Sequence, residues 1–469
     1  MIALDRRQVL AGLPLMAAAT RLPAAPRPAL DPWFADLEKR TFEFFWETAN
    51  RDNGLVPDRW PDPPFASIAS VGFALTAYPI GVARGWCTRD AARDLTLTTL
   101  RFFDRARQGE AASGTAGYKG FFYHFLHMDS GLRYRDVELS SVDSSLLFLG
   151  ILFAGLWYDR ADPAEAEIRR LATRIVDRAD WPWFQTASGS FSMGWHPGKG
   201  FIERSWDGYN EGMMVHLLAL GSGGHPARDG AWEAWTKPYP AFWRGSGDTR
   251  HLAFAPMFGH QYSQMWIDFR GIRDATMRRE GFDYFENSRR ATYADRAYCI
   301  RNPMQWDGYG RDIWGLTACD GPGDFRLEFK GEMRQFHGYS ARGPLGQPDG
   351  LDDGTIAPTA ALGSLAFAPE ICIPAALAMH RRYGGNLYGR YGFRDSFNPS
   401  FRYADVTVTS GRVDPAQGWF ASDWLGIDQG PILGALANYR SDFIWSVMRR
   451  SPHLRRGLTR AGFGGGWLG

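Results

Sequence analysis

Three stretches of helical length carry almost no charge, and they constrain the fold more than anything else in the chain. Ala66 to Ala83 runs eighteen residues without a charged side chain. Leu146 to Tyr158 is apolar or glycine throughout, and Gly212 to Leu220 is the same apart from His216. A membrane span needs ~20 apolar residues. These stretches are too short or too polar for that, so each is predicted to be a helix buried on all sides inside protein. A second kind of helix follows. Asp162 to Asp180 places Ile168, Leu171, Ala172, Ile175, Val176 and Ala179 on one face, with arginines and acids between them. Thr88 to Arg107 turns Leu95, Phe102, Phe103 and Ala106 inward in the same way.

A buried helix paired with an amphipathic one, repeated along a chain, describes two concentric layers. The expectation is an all-α fold, an (α/α)6 toroid of six helical hairpins with inner and outer layers; an open helical array is the alternative, because no internal repeat marks the closure. Helices are expected near 33–49, 66–84, 89–107, 141–158, 163–180, 209–221, 229–236, 255–272, 283–298, 355–366, 370–383 and 430–450. Strand signals are few, with Phe121–Phe125 and Ala404–Thr409 the best. Long loops at 181–208, 301–354 and 384–429 are rich in Gly and Trp, and loops of that length in a compact domain usually carry function. Trp60, Trp181, Trp183, Trp195, Trp306 and Trp314 lie in such loops, where core roles are less expected than for Trp157 or Trp445.

Residues 1–30 read as an export signal and tether, leaving 31–469 as one catalytic domain. Asp5-Arg6-Arg7-Gln8-Val9-Leu10 opens a short apolar run from Val9 to Ala19 that ends in Ala17-Ala18-Ala19. A basic start, a short apolar segment and small residues direct a chain out of the cytoplasm, and Arg6-Arg7 points to the twin-arginine route. The expected location is periplasmic or secreted, with no membrane span. Lys and Arg number 53 against 51 Asp and Glu, a net charge of +2, which speaks against nucleic acid as a partner. Cys87, Cys299, Cys319 and Cys372 show no CxxC spacing, so they read as small buried hydrophobes; a Cys299–Cys319 bridge is the one pairing to weigh. His124 and His127 lack a carboxylate helix to complete a metal site. No metal and no cofactor are expected, and the chain is expected to act as a monomer.

The inner helices of a toroid run roughly parallel, so their N-termini line one mouth. Glu138-Leu139-Ser140-Ser141-Val142-Asp143 leads into one of them, and Trp206-Asp207-Gly208-Tyr209-Asn210-Glu211 into another. Trp424-Leu425-Gly426-Ile427-Asp428-Gln429 leads into the last, and Tyr391 to Asn398, with Asp395, precedes it. Any single acid there is explained by helix capping. The set, with its aromatics and amides, is the inventory of a sugar site: rings stack on pyranose faces and acids accept hydroxyl protons. Glycoside hydrolysis needs two carboxylates, one to protonate the leaving oxygen and one to activate water or attack carbon. Glu211, at the start of a very apolar helix, is the best general-acid candidate. Asp143, Asp395 and Glu138 are the candidates for base or water positioning. His124, Trp206, Tyr209, Asn210, Trp424, Asp428 and Gln429 are the candidates for substrate contact.

These stretches, with Phe121-Phe122-Tyr123-His124-Phe125-Leu126, Asp353-Gly354-Thr355-Ile356-Ala357-Pro358, Phe367-Ala368-Pro369-Glu370 and Ile427-Asp428-Gln429-Gly430-Pro431, resemble a bacterial glucoamylase-like family. It includes the endo-β-1,2-glucanases of glycoside hydrolase family 144. The resemblance implies an (α/α)6 barrel, metal-free inverting hydrolysis and a β-1,2-linked glucan or oligosaccharide as substrate. Two other readings stay open: a polysaccharide lyase on the same toroid, using Tyr123 or His124 with arginines, and a non-catalytic periplasmic glycan-binding protein.

Overall fold

A computed structural model describes residues 29–62 and 65–469; the export-signal reading falls on residues 1–28, outside the described ones. In chain order the main helices are α1 (Trp33–Thr48), α2 (Ile68–Ala83), α3 (Arg89–Arg105), α4 (Ser141–Trp157), α5 (Pro163–Asp177), α6 (Met213–Gly221), α7 (Phe258–Trp266), α8 (Tyr284–Arg301), α9 (Pro358–Leu362), α10 (Pro369–Leu387), α11 (Gly426–Ser441) and α12 (Pro452–Arg460). They form the (α/α)6 toroid. Helices α2, α4, α6, α7, α9 and α11 make the inner ring, and α3, α5, α12, α8, α10 and α1 back them.

The charge-free segments became the inner helices because nothing in them requires water. In α6 every residue from Met213 to Gly221 is buried. Local chemistry sets where helices begin. Ser67 accepts the N–H of Ser70, Thr88 that of Ala91, and Asp162 those of Ala164 and Glu165 behind Pro163, so each cap satisfies a donor the helix leaves free. The ring is tied by side chains crossing between helices. Trp266 Nε1 donates to Thr76 Oγ1 at 3.0 Å, and Gln261 Nε2 donates to the Ala360 carbonyl at 2.8 Å. Ser263 Oγ donates to the Glu211 carbonyl at 3.3 Å, and Thr359 Oγ1 to the Asp428 carbonyl at 3.2 Å.

Helices α2 and α4 approach backbone to backbone. A Cβ on Gly150 would stand 2.1 Å from the Gly72 carbonyl oxygen, and one on Gly72 would stand 2.3 Å from the Leu146 carbonyl oxygen. Backbone cannot move aside as a side chain can. Gly150→Ala is therefore expected to cost about 3 kcal/mol, at the upper end of core overpacking. It should lower the melting temperature by several degrees; an unchanged melting temperature would contradict this packing.

Two-residue antiparallel ladders lead into four of the inner helices. Ala66–Ser67 pairs with Phe125–Leu126, Leu139–Ser140 with Gly194–Trp195, Ser205–Trp206 with Phe191–Ser192, and Trp424–Leu425 with Arg59–Trp60. These ladders hold the helix lead-ins around the mouth, and the last of them also carries Arg59 to it.

Several expectations are corrected. The helix expected at 430–450 breaks at Asp442, which takes a left-handed conformation (φ 53°), giving α11 and a separate Phe443–Met448. The expected 255–272 helix is only α7, followed by Ala275–Glu280, and α12 was not anticipated. Ala404–Thr409 forms no strand; Val406 and Val408 pack on Trp419 and its neighbours without a ladder. The longest strands are an unanticipated hairpin, Phe325–Phe329 with Glu332–Phe336. Trp181, Trp195, Trp306 and Trp314 are core residues despite their loops. Cys299 and Cys319 are free thiols, both buried, and do not pair. Among the described residues no helix is long and apolar enough to cross a membrane.

Candidate active site

At the N-terminal mouth of the inner ring lies a cleft of about 550 Å³. Its walls combine carboxylates, Asp58, Asp143 and Glu211, with His124, Arg59 and the rings of Phe65, Phe125, Phe258, Tyr262 and Tyr339.

The lead-in to α4 builds one side. Ser140 Oγ accepts the Asp143 N–H at 3.1 Å and donates to Asp143 Oδ2 at 2.5 Å, so one hydroxyl caps the helix and fixes the carboxylate. The backbone N–H of His124 donates to the Glu138 carbonyl at 3.0 Å, placing the imidazole between two acids. His124 Nδ1 lies 2.8 Å from Glu138 Oε1, and Nε2 lies 3.5 Å from Asp143 Oδ1. Burial opposes charge on His124, but Asp143 and Glu138 outweigh it and push its pKa up to about 9. Burial likewise opposes ionisation of Glu138, yet His124 holds it down at about 2. Asp143 is raised, because burial exceeds what His124 returns. These three residues bring one ligand atom each within 4.8 Å of one another. That is a donor set a cation could use.

Glu211 stands opposite, just before α6. It is 8% exposed and its Oε2 has no hydrogen-bond partner. Burial, with Asp143 adding like charge, pushes its pKa up to about 8. Near pH 7 the carboxyl carries its proton while Glu138 does not. Environments that drive neighbouring acids apart in this way mark acid and base roles.

A third group closes the cleft around Arg59. Its guanidinium reaches Asp320 at 3.0 Å, Asp58 at 3.3 Å and Asp423 at 3.5 Å. Burial and Asp395 raise Asp320 to about 6 despite Arg59. Behind it, Asp395 Oδ2 accepts the Asp320 N–H at 2.7 Å and the Ser396 hydroxyl at 2.8 Å. Burial and the nearby Asp395 hold the Asp428 carboxyl well above the usual carboxylate range.

Of the sequence candidates, Glu211, Asp143 and His124 line the cleft, with Glu138 tied directly to His124. Asp395 and Asp428 do not line it; they are 1% and 3% exposed and form the buried pair just described. The expected sugar-contact residues are mostly scaffold. Trp206 Nε1 donates to Ser141 Oγ at 2.9 Å, and the Tyr209 hydroxyl meets His260 Nδ1 at 3.2 Å. Asn210 accepts the Gly212 N–H at 2.9 Å, Trp424 donates to the Gly392 carbonyl at 3.1 Å, and Gln429 to the Phe393 carbonyl at 2.9 Å. These donors and acceptors are engaged inside the protein, the Gln429 Oε1 excepted, and none of the five residues lines the cleft. The rings that do face it are Phe65, Phe125, Phe258, Tyr262 and Tyr339. Asp58 and Arg59 carry a signal of the same kind: they precede the longest charge-free helix, as Asp143 and Glu211 stand at the starts of two others. Asp320 and Tyr339 sit in the long 301–354 loop, where no spacing singles them out.

The family model Glycoamylase, described as Putative glucoamylase, matches residues 203–452, more than half of the chain. The chain belongs to the Glycoamylase family. Glu211, α7 to α11 and the buried Asp395–Asp428 pair all fall within the matched span. The chain is 26% identical to an exo beta-1,2-glucooligosaccharide sophorohydrolase (non-reducing end) of Parabacteroides distasonis, over 93% of this chain and 59% of that protein. The Glycoamylase-family chain thus spans well under two thirds of the relative's length. The crystal structure of a putative glucoamylase from Bacteroides uniformis superposes with a TM-score of 0.78 at 29% identity, covering 95% of this chain and 100% of that one. An endo-beta-1,2-glucanase from Chitinophaga pinensis, solved with sophorotriose and glucose, gives 0.76 at 23% identity over 92% and 98%, a likeness of fold.

Proposed function

We propose that this chain is an exported glycoside hydrolase that cleaves β-1,2-linked glucan or its oligosaccharides with inversion at the anomeric carbon. The observation that carries the reading is Glu211: a buried, unpartnered carboxyl on a sugar-sized cleft, protonated at neutral pH, facing an ordered carboxylate–imidazolium cluster. The linkage rests on the sequence resemblance and on the named activity of the Parabacteroides relative.

In this mechanism Glu211 gives its proton to the glycosidic oxygen as the bond breaks. Asp143 takes a proton from the attacking water. Both of its oxygens are engaged, by Ser140 and by His124, which suits it to polarising water rather than attacking carbon. Glu138 keeps His124 charged, and His124 in turn steadies Asp143 as a carboxylate against burial. Asp395, bound by backbone and hydroxyl donors, supports Asp320 and has no part in the proton transfers. The lyase reading is disfavoured on the same grounds. A lyase needs an unprotonated base, whereas His124 is charged up to about pH 9, and the Tyr123 hydroxyl is buried away from the cleft.

Product analysis tests the reading. Linear and cyclic β-1,2-glucans are expected to yield reducing ends without near-ultraviolet absorbance, and β-1,3- and β-1,4-glucans to stay intact. Early anomeric NMR should show the α-product. Unsaturated products would make the enzyme a lyase, retained configuration would remove Asp143 as base, and no turnover of any glycan would leave a binding protein. Export rests on Arg6-Arg7 and the apolar run behind it; recovery of the full-length chain only in cytoplasmic fractions would overturn it.

A further inference from the structure

A second cavity is larger than the cleft. A hollow of about 890 Å³ lies outside the inner ring, between α8 and the segments 244–251 and 344–347. It is lined by four arginines, Arg244, Arg289, Arg290 and Arg301, and only two acids, Asp248 and Glu286. Two of the four are matched by carboxylates: Arg289 by Glu370 at 2.6 Å and Arg290 by Glu286 at 2.9 Å. The other two have none among the described residues. Arg244 donates to the carbonyls of Ala241, Trp243 and Gly346, at 2.8, 2.9 and 3.3 Å. Those neutral acceptors fix the side chain and leave its charge uncompensated. Arg301 lies exposed beside the Tyr298 ring, 6.0 Å from its centroid.

A neutral imidazole and two aromatic rings back the same hollow. His251 is 3% exposed; its Nδ1 sits 2.8 Å from the Thr249 carbonyl, and its Nε2 has no partner. With a carbonyl facing Nδ1, that nitrogen carries the hydrogen, and Nε2 is an acceptor buried behind the wall of the hollow. Burial, with Arg290 and Arg244 nearby, lowers its pKa and keeps the ring neutral. Tyr293 and Tyr298 supply ring surface on the same wall.

We propose that this hollow is a second ligand site, one that takes a saccharide bearing a negatively charged group, a phosphate or a carboxylate. The anionic group falls to Arg244 and Arg301, and the apolar face of the sugar to Tyr293 and Tyr298. The site adjoins the cleft across a single loop: residues 344–347 line the hollow, while Asp349 pairs with Arg204 at 3.5 Å, and both of those charges act on Glu211.

Calorimetric titration of the full chain with glucose 6-phosphate, glucuronate, glucose and inorganic phosphate tests the proposal. At least one charged sugar should bind ten-fold or more tighter than glucose and than inorganic phosphate, more weakly as salt rises. Which of the two binds tells phosphate from carboxylate. Arg301→Gln and Arg244→Gln, checked for folding by thermal melting, should each weaken that binding ten-fold or more. Equal affinity for charged and neutral sugars, no binding at all, or binding untouched in both variants would overturn it.

Discussion

Replacing Glu211 with Gln is expected to remove hydrolysis while leaving the substrate bound. The carboxyl sits buried with one oxygen unpartnered, and at neutral pH it carries a proton. An amide has the same shape and the same zero charge but no proton to give. The loss in kcat should be about 1,000-fold, in the range a positioned general acid supplies, with affinity for oligosaccharide within a few-fold of wild type. The same residue sets two pH effects. Activity should fall on the alkaline side as Glu211 loses its proton near its pKa of about 8. Stability should follow linkage. The folded state raises this pKa from 4.5 to about 8, so the stabilisation is full below the unfolded value and disappears as pH climbs through the folded one. The loss runs at up to about 1.4 kcal/mol per pH unit. Glu211→Gln lacks this slope, so its melting temperature should decline less than that of the wild type between pH 5 and 8. Near-normal turnover in the variant, or parallel melting curves across that pH range, would remove Glu211 from the acid role.

How far the sequence reached is clear from where it stopped. Ala66–Ala83 and Leu146–Tyr158 announced their burial through absence of charge, and α5 through its stripe, because burial and amphipathicity are properties of one segment at a time. The layers follow from those two kinds of helix. The mouth was legible too: Glu211 and Asp143 stand at helix lead-ins, where a toroid converges. Beyond that, orientation decides, and orientation is a property of neighbours. Trp206, Asn210 and Gln429 have the chemistry of sugar contacts, yet Ser141 takes the indole N–H, Gly212 the Asn210 amide oxygen and Phe393 the Gln429 amide N–H. Asp395 and Asp428 lie some thirty positions apart and meet only in the fold, where burial and like charge push the Asp428 carboxyl up. Arg59 comes to the cleft through a ladder with Trp424–Leu425 at the far end of the chain, a pairing no local pattern encodes.

Breaking the ion pair of Arg342 and Asp353 should be the most destabilising single change in the long 301–354 loop. Both side chains are 0% exposed, and the pair is bidentate, Nε to Oδ1 and Nη2 to Oδ2, each at 2.8 Å. Burial alone would raise the Asp353 pKa, but Arg342 holds it below the ordinary value. Arg342 also donates to the carbonyls of Cys319, Ser340, His337 and Gly338, at 2.6, 3.1, 3.2 and 3.0 Å. One guanidinium thus gathers both ends of the segment that brings Tyr339 to the cleft and Asp320 to Arg59 on its wall. Asp353→Asn leaves that cation buried without its counter-charge, which costs about 3–5 kcal/mol where such pairs are broken. Removing both partners, as Arg342→Met with Asp353→Leu, relieves the stranded charge but orphans four carbonyls. The double variant should therefore recover only part of the loss, whereas an isolated ion pair could be replaced at little cost. Chemical unfolding of Arg342→Met, Asp353→Leu and the double variant measures the coupling. Turnover should fall alongside stability, because Asp320 and Tyr339 lose their anchor. A destabilisation below about 1 kcal/mol in Asp353→Asn, the level of a surface pair, would mean that the loop is held by other contacts and that the cleft does not depend on this one.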